Sequence, residues 1–269
     1  MNGNLFAKEM KRALTGLLLW MLIITILIAI TMSIYPTFLQ NQQKVFGMLN
    51  LIPKGVLQFK GFSNINDLLL ALGFYASNNV IYMMVLGSIF AIVLGSNILL
   101  KEEYNKTAEY LLAKPLTRRE IFLTKLSVLS VNIILLNLVT STAGFTFLTV
   151  VDKEPFSIRA FMVLSFYTFL LNILFGIIGL FISTLIRRAR PVTAFSIGLV
   201  LIFYFVYTLS KITESISRLG YISPFNYVDL KVTSPGYHIE PVNLSVFILL
   251  SLILGIFSYR LYLRRDIYL

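Results

Sequence analysis

Six apolar runs dominate this chain: Ala13–Tyr35, Tyr75–Leu100, Ile121–Val151, Phe161–Ile186, Val192–Ser210 and Leu244–Leu263. About 20 apolar residues wound as a helix cross a hydrocarbon core roughly 30 Å thick. The chain therefore reads as an all-α membrane protein with six transmembrane helices. Composition agrees: 57% of the 269 residues are hydrophobic and 13% charged, against about a quarter charged in a soluble domain. The first run is too long for a signal-peptide core and no small-x-small cleavage pattern follows it, so it is expected to be a retained helix.

The net charge of +11 is spread beside the apolar runs rather than gathered in one patch. That pattern sets membrane topology and gives no footprint for nucleic acid. Fifteen of the 23 Lys and Arg residues fall on one side, in residues 1–12, 101–125, 187–190 and 260–269, and eight fall on the longer segments opposite. Positive charge is retained in the cytoplasm, so both termini are expected inside. Residues 1–12 and 101–120 are then cytoplasmic segments and 211–243 an external loop.

None of the runs holds an Asp, Glu or His well inside it. A central charge costs about 2.5–3.5 kcal/mol on insertion scales and is kept mainly for ion or proton pathways. Its absence speaks against a proton- or sodium-coupled secondary transporter. The neutral residues Asn78, Asn79, Asn132, Asn137 and Asn172 suit hydrogen bonds between helices. Gly87, Ala91 and Gly95 stand four apart on one face, a spacing that lets a second helix pack closely. With no cysteine there is no disulfide and no Cys-ligated metal. The single histidine, His238, has no partners at ligand spacing. No catalytic set lies in the spans, and no G-x-x-x-x-G-K-[ST] loop is present to cradle phosphates. The chain is expected to be a non-enzyme.

The segment between the second and third runs carries the most local information. Tyr104, Ala108, Leu111 and Leu112 fall at i, i+4, i+7 and i+8, one apolar stripe of a helix that ends by Lys114, because the residue before Pro115 avoids the α region. Thr117 and Glu120 then form a Thr-x-x-Glu capping box, with Leu116 and Ile121 at the flanking staple positions. An amphipathic helix of this kind suits either the lipid surface or a docked cytoplasmic partner.

This stretch resembles the cytoplasmic loop of ABC-2 type permeases, the membrane subunits of one class of ATP-binding-cassette exporters. Glu103, Thr107, Glu109, Leu111, Leu112, Ala113, Pro115, Thr117, Arg118 and Lys125 fill that family's pattern, while Lys106 stands where the family usually has Gly. Leu5–Arg12 is similar to the family's amphipathic connecting helix, which implies a short cytoplasmic amphipathic N-terminal helix over 1–12, and Ile52-Pro53, Phe59-Lys60-Gly61, Ser223-Pro224-Phe225 and Arg264-Arg265-Asp266 are similar to further family segments in the same order. The resemblance implies a single permease domain over 1–269, working as a homodimer with two copies of a separate ABC ATPase that carries ATP and Mg²⁺. It assigns Glu102, Glu103, Thr107, Glu109, Leu111, Leu112, Pro115 and Arg118 to the ATPase-coupling interface. It also implies short helices dipping back over Ile216–Val228, and a cell membrane of prokaryotic type. Spans without charge suit an amphipathic or hydrophobic cargo, with peptides, antimicrobials or drugs as the first expectation. Export by alternating access is the leading reading; a secondary transporter, or an ABC-2 type membrane anchor or mechanical transmitter for another complex, is the alternative.

Overall fold

The computed structural model describes residues 2–41, 68–104, 116–151, 156–186, 192–230 and 237–264, with positions 43 and 47. Asn2 starts the first helix: its side chain accepts from the Leu5 N–H, and α1 then runs unbroken over Gly3–Gln40. The expected connecting helix and first span are thus one rod. At about 1.5 Å per residue it outruns the hydrocarbon core at both ends. Charged residues from Lys8 to Arg12 are good helix formers and do not interrupt it, and Pro36 is accommodated inside its last turns.

The second span begins with α2 (Ala71–Tyr75), passes through two π-helical turns at Ala76–Val80 and Met83–Gly87, and continues as α3 (Ser88–Tyr104). Then come α4 (Arg118–Val151), α5 (Ile158–Leu185), α6 (Val192–Ile212) and α7 (Pro241–Arg264). Among the described residues, six helices are long and apolar enough to cross a membrane. Ser157 caps α5 through the Ala160 N–H. Between α6 and α7 lie two 3₁₀ helices, Glu214–Ile222 and Pro224–Tyr227.

The core is the contact of α3 with α5, and glycine makes it possible. A Cβ added at Gly95 would collide with the Gly176 carbonyl, and one at Gly179 with the Ile92 carbonyl. Gly87 lies under the Asn172 amide, and Ala91 is fully buried. The stripe Gly87–Ala91–Gly95 therefore faces α5, with Gly179 of α5 answering it, while a Cβ at Gly176 would meet Ile133 of α4. On the flanks, α1 packs along α4 and α7 packs against α5. Leu18, Leu22, Ile26 and Ile30 of α1, Ile202 and Phe205 of α6, and Leu249, Ile253 and Ile256 of α7 point outward, as lipid-facing residues do.

The 3₁₀ segment folds back along α6. Ser223 Oγ donates to the Phe203 carbonyl, nine residues before the end of α6, a retreat of about 14 Å along the helix axis. Phe225 is fully buried against the rings of Phe175, Tyr204 and Tyr207. Tyr237 donates to the Asp229 carbonyl just beyond, and burial, reinforced by Asp229, Tyr167 and Glu240, pushes its phenol pKa up. Tyr237 thus stays a protonated donor.

A bulky residue in the α3–α5 contact has no space. Gly95→Leu is expected to abolish the folded monodisperse protein in detergent gel filtration. Gly255→Leu, where a Cβ meets nothing, is expected to be tolerated.

Candidate functional site

Three helices bring charged side chains together at the end of the bundle that carries the N-terminus. Glu9 of α1 is almost fully buried, and its Oε2 accepts a hydrogen bond from the ammonium of Lys101 on α3. Lys125 of α4 is equally buried; its Nζ lies 3.6 Å from Glu9 Oε1 and donates to the Ile98 carbonyl at 2.6 Å. Arg12, one turn along α1, stands 4.0 Å from Glu9 Oε1 at the exposed rim. The Asn2 N–H donates to Thr124 Oγ1 at 3.2 Å, and the Asn132 amide approaches Met10 Sδ at 3.1 Å, so α1 is pinned to α4 on both sides of Glu9. Burying a carboxylate is tolerable only with such compensation.

The cluster leaves intact the expectation that no Asp, Glu or His lies well inside a run, because Glu9 precedes the first of them; its burial is what the sequence alone does not assign. Lys125 lies within the predicted third span and belongs to its buried face, four residues after Ile121 and three and four before Val128 and Leu129. That periodicity is visible in the sequence; its partner Glu9, 116 positions away, is not. Glu9 is also the one acidic residue of α1.

The cluster flanks the predicted coupling segment. Glu102 and Glu103 continue α3 immediately after Lys101, with their side chains outside the described residues. Thr107, Glu109, Leu111, Leu112 and Pro115 also lie outside the described residues. On the far side the capping box is formed. The Glu120 N–H donates to Thr117 Oγ1 at 3.2 Å, and Glu120 Oε2 accepts from the Thr117 N–H at 2.9 Å and from its hydroxyl. Arg118 opens α4 and donates to the Leu263 carbonyl at 3.2 Å, which ties the start of α4 to the end of α7. Phe122 packs beside it on Tyr259 and Tyr262.

Deeper in the bundle a second polar chain runs across three helices. Ser88 donates to Asn172 Oδ1 at 3.3 Å, and Asn172 Nδ2 donates to Asn137 Oδ1 at 3.2 Å. Asn137 also borders an open-sided cavity of about 370 Å³ between α4 and α5, walled by Leu138, Phe161, Met162, Phe166 and Phe169, with Ser141 and Ser165 as its other polar groups. Its lining suits a hydrocarbon chain. Among the described residues no group of His, Cys, Asp and Glu is placed to hold a metal ion.

Two substitutions grade these contacts. Glu9→Ala leaves Lys125 buried without its carboxylate and is expected to cost about 3–5 kcal/mol. Thr117→Ala removes only an exposed cap and is expected to cost about 1 kcal/mol. Thermal unfolding in one detergent, compared with the unaltered protein, reads both.

Among curated proteins none matches the sequence. The sequence does match the family described as ABC-2 family transporter protein, over residues 3–267, which takes in all six spans, the charged cluster and the capping box. This chain belongs to the ABC-2 transporter family, as the membrane permease subunit of an ABC transporter.

Proposed function

We propose that this permease exports an amphipathic or hydrophobic cargo, with peptides as the first candidates. It does so by alternating access, driven by two copies of a separate ATPase seated on Glu102–Leu112. In this reading the functional unit is a homodimer in a prokaryotic plasma membrane, both termini are cytoplasmic, and ATP and Mg²⁺ are bound by the partner. The observation that carries it is the family match over nearly the whole chain. The charge distribution supports the orientation, since 15 of 23 Lys and Arg residues lie on the side assigned to the cytoplasm. The cap at Thr117 and the charged cluster support coupling: the cap fixes one flank of the segment at the start of α4, and the Glu9–Lys101 pair ties the other flank to α1, so force applied to the segment reaches the bundle. The apolar lining of the cavity between α4 and α5 supports an apolar or amphipathic cargo.

The test is co-purification with the ATPase encoded beside this chain. A stable complex whose hydrolysis rises with a peptide cargo in proteoliposomes is expected, and absence of any bound ATPase in mild detergent sinks the proposal. Glu103→Lys with Glu109→Lys is expected to reduce cargo-stimulated hydrolysis at least tenfold while the permease stays folded; unchanged stimulation removes both residues from the interface. Hydrolysis with no cargo movement favours the mechanical-transmitter reading.

A further inference from the structure

The two lysines on Glu9 are not equivalent. Lys125 is 1% exposed; its ammonium donates to the Ile98 carbonyl and forms an ion pair with Glu9 Oε1 at 3.6 Å, beyond hydrogen-bond reach. Lys101 is 25% exposed, and among the described residues Glu9 is the one hydrogen-bond partner of its ammonium. The helices differ in the same way. Along its length α1 is packed on α4 and pinned there by the Asn2–Thr124 and Met10–Asn132 contacts. Its backbone does not pack along α3. Among the described residues, the first and second spans meet closely at the opposite end, where the Tyr35 hydroxyl donates to the Leu69 carbonyl and Tyr35 and Phe38 pack on Phe74. Midway a looser ring contact joins Trp20 and Phe90 at 6.2 Å. At the charged end the Glu9–Lys101 pair bridges the remaining gap.

We propose that Glu9–Lys101 is a breakable latch between the first and second spans, and that Lys125 is the resident counter-ion that lets it open. When Lys101 withdraws, its partly exposed ammonium is taken up by water. Glu9 keeps Lys125, with Arg12 at the rim, so no buried carboxylate is left alone. Withdrawal of Lys125 instead strands a buried ammonium, so that pair stays shut. Lys101 directly precedes Glu102, and displacement of the following segment therefore acts first on the latch. That last link rests on the coupling role proposed above; the latch itself does not.

The natural chain has no cysteine, which makes spin-label distances straightforward. One label pair, Lys11→Cys with Leu94→Cys, spans the latch; a reference pair, Lys11→Cys with Leu123→Cys, spans the fixed α1–α4 contact. In nanodiscs, Lys101→Met is expected to shift the first distance distribution to longer values and broaden it, to leave the second unchanged, and to be reversed by Lys101→Arg. Equal shifts of both pairs, or of neither, overturn the latch. So does loss of the folded protein in Lys101→Met, because a latch requires Glu9 to survive on Lys125 alone. In the complex with its ATPase, trapping with ATP and vanadate is expected to move the first distance and not the second. A complex that hydrolyses ATP while neither distance moves overturns the latch. Failure of any ATPase to bind counts against the coupling reading alone, with the nanodisc result still deciding the latch.

Discussion

Two backbones touch at the centre of this bundle, and the rest is arranged around that contact. Helix association in lipid has no hydrophobic drive of its own, because hydrocarbon tails are as apolar as leucine, so closeness of packing carries the stability. Gly95 rests on the Gly176 carbonyl and Gly179 on the Ile92 carbonyl. With α3 and α5 this close, Ser88, Asn137 and Asn172 come within hydrogen-bonding distance across three helices. Further along α3, the Ile98 carbonyl accepts from Lys125 of α4 at the charged end.

The polar assemblies divide their work by depth. In the interior the groups are neutral amides and a hydroxyl, which neighbours satisfy at modest cost. At the charged end a carboxylate and two lysines meet partly in reach of water, where the penalty for separation is smaller. A permease that changes shape needs a firm centre and a yielding end. The fully buried Asn172 and the partly exposed Lys101 fit those two demands.

Much of the architecture was legible in the sequence, and the limits follow from the range of each signal. Apolar runs locate the spans because burial in lipid is a property of consecutive residues. They understate α1 and α4, which continue into water as Gly3–Gln40 and Arg118–Val151, since helix propensity does not stop at the membrane surface. The Thr117–Glu120 box was legible because it is completed within four residues. The Gly87–Ala91–Gly95 stripe was legible as one half of a contact; Gly179, which answers it, is recognisable only once α5 is in place. The site at Glu9 was hidden for another reason. Lys101 and Lys125 also serve in the tally of positive charge that orients the spans; the periodicity of α4 places Lys125 on its buried face, but nothing local names Glu9 as the carboxylate that meets it. The π-helical turns before Gly87 carry no sequence mark that pattern reading detects.

The burial of Glu9 also constrains how the protein is made. The carboxylate is synthesised ninety-two residues before Lys101 and 116 before Lys125. A lone carboxylate is costly in hydrocarbon, and its two lysines arrive in turn, Lys101 at the end of the second span and Lys125 in the third. The charge set around Glu9 is therefore complete only once the third span has been made, so the head of the first helix is seated by residues synthesised long after it.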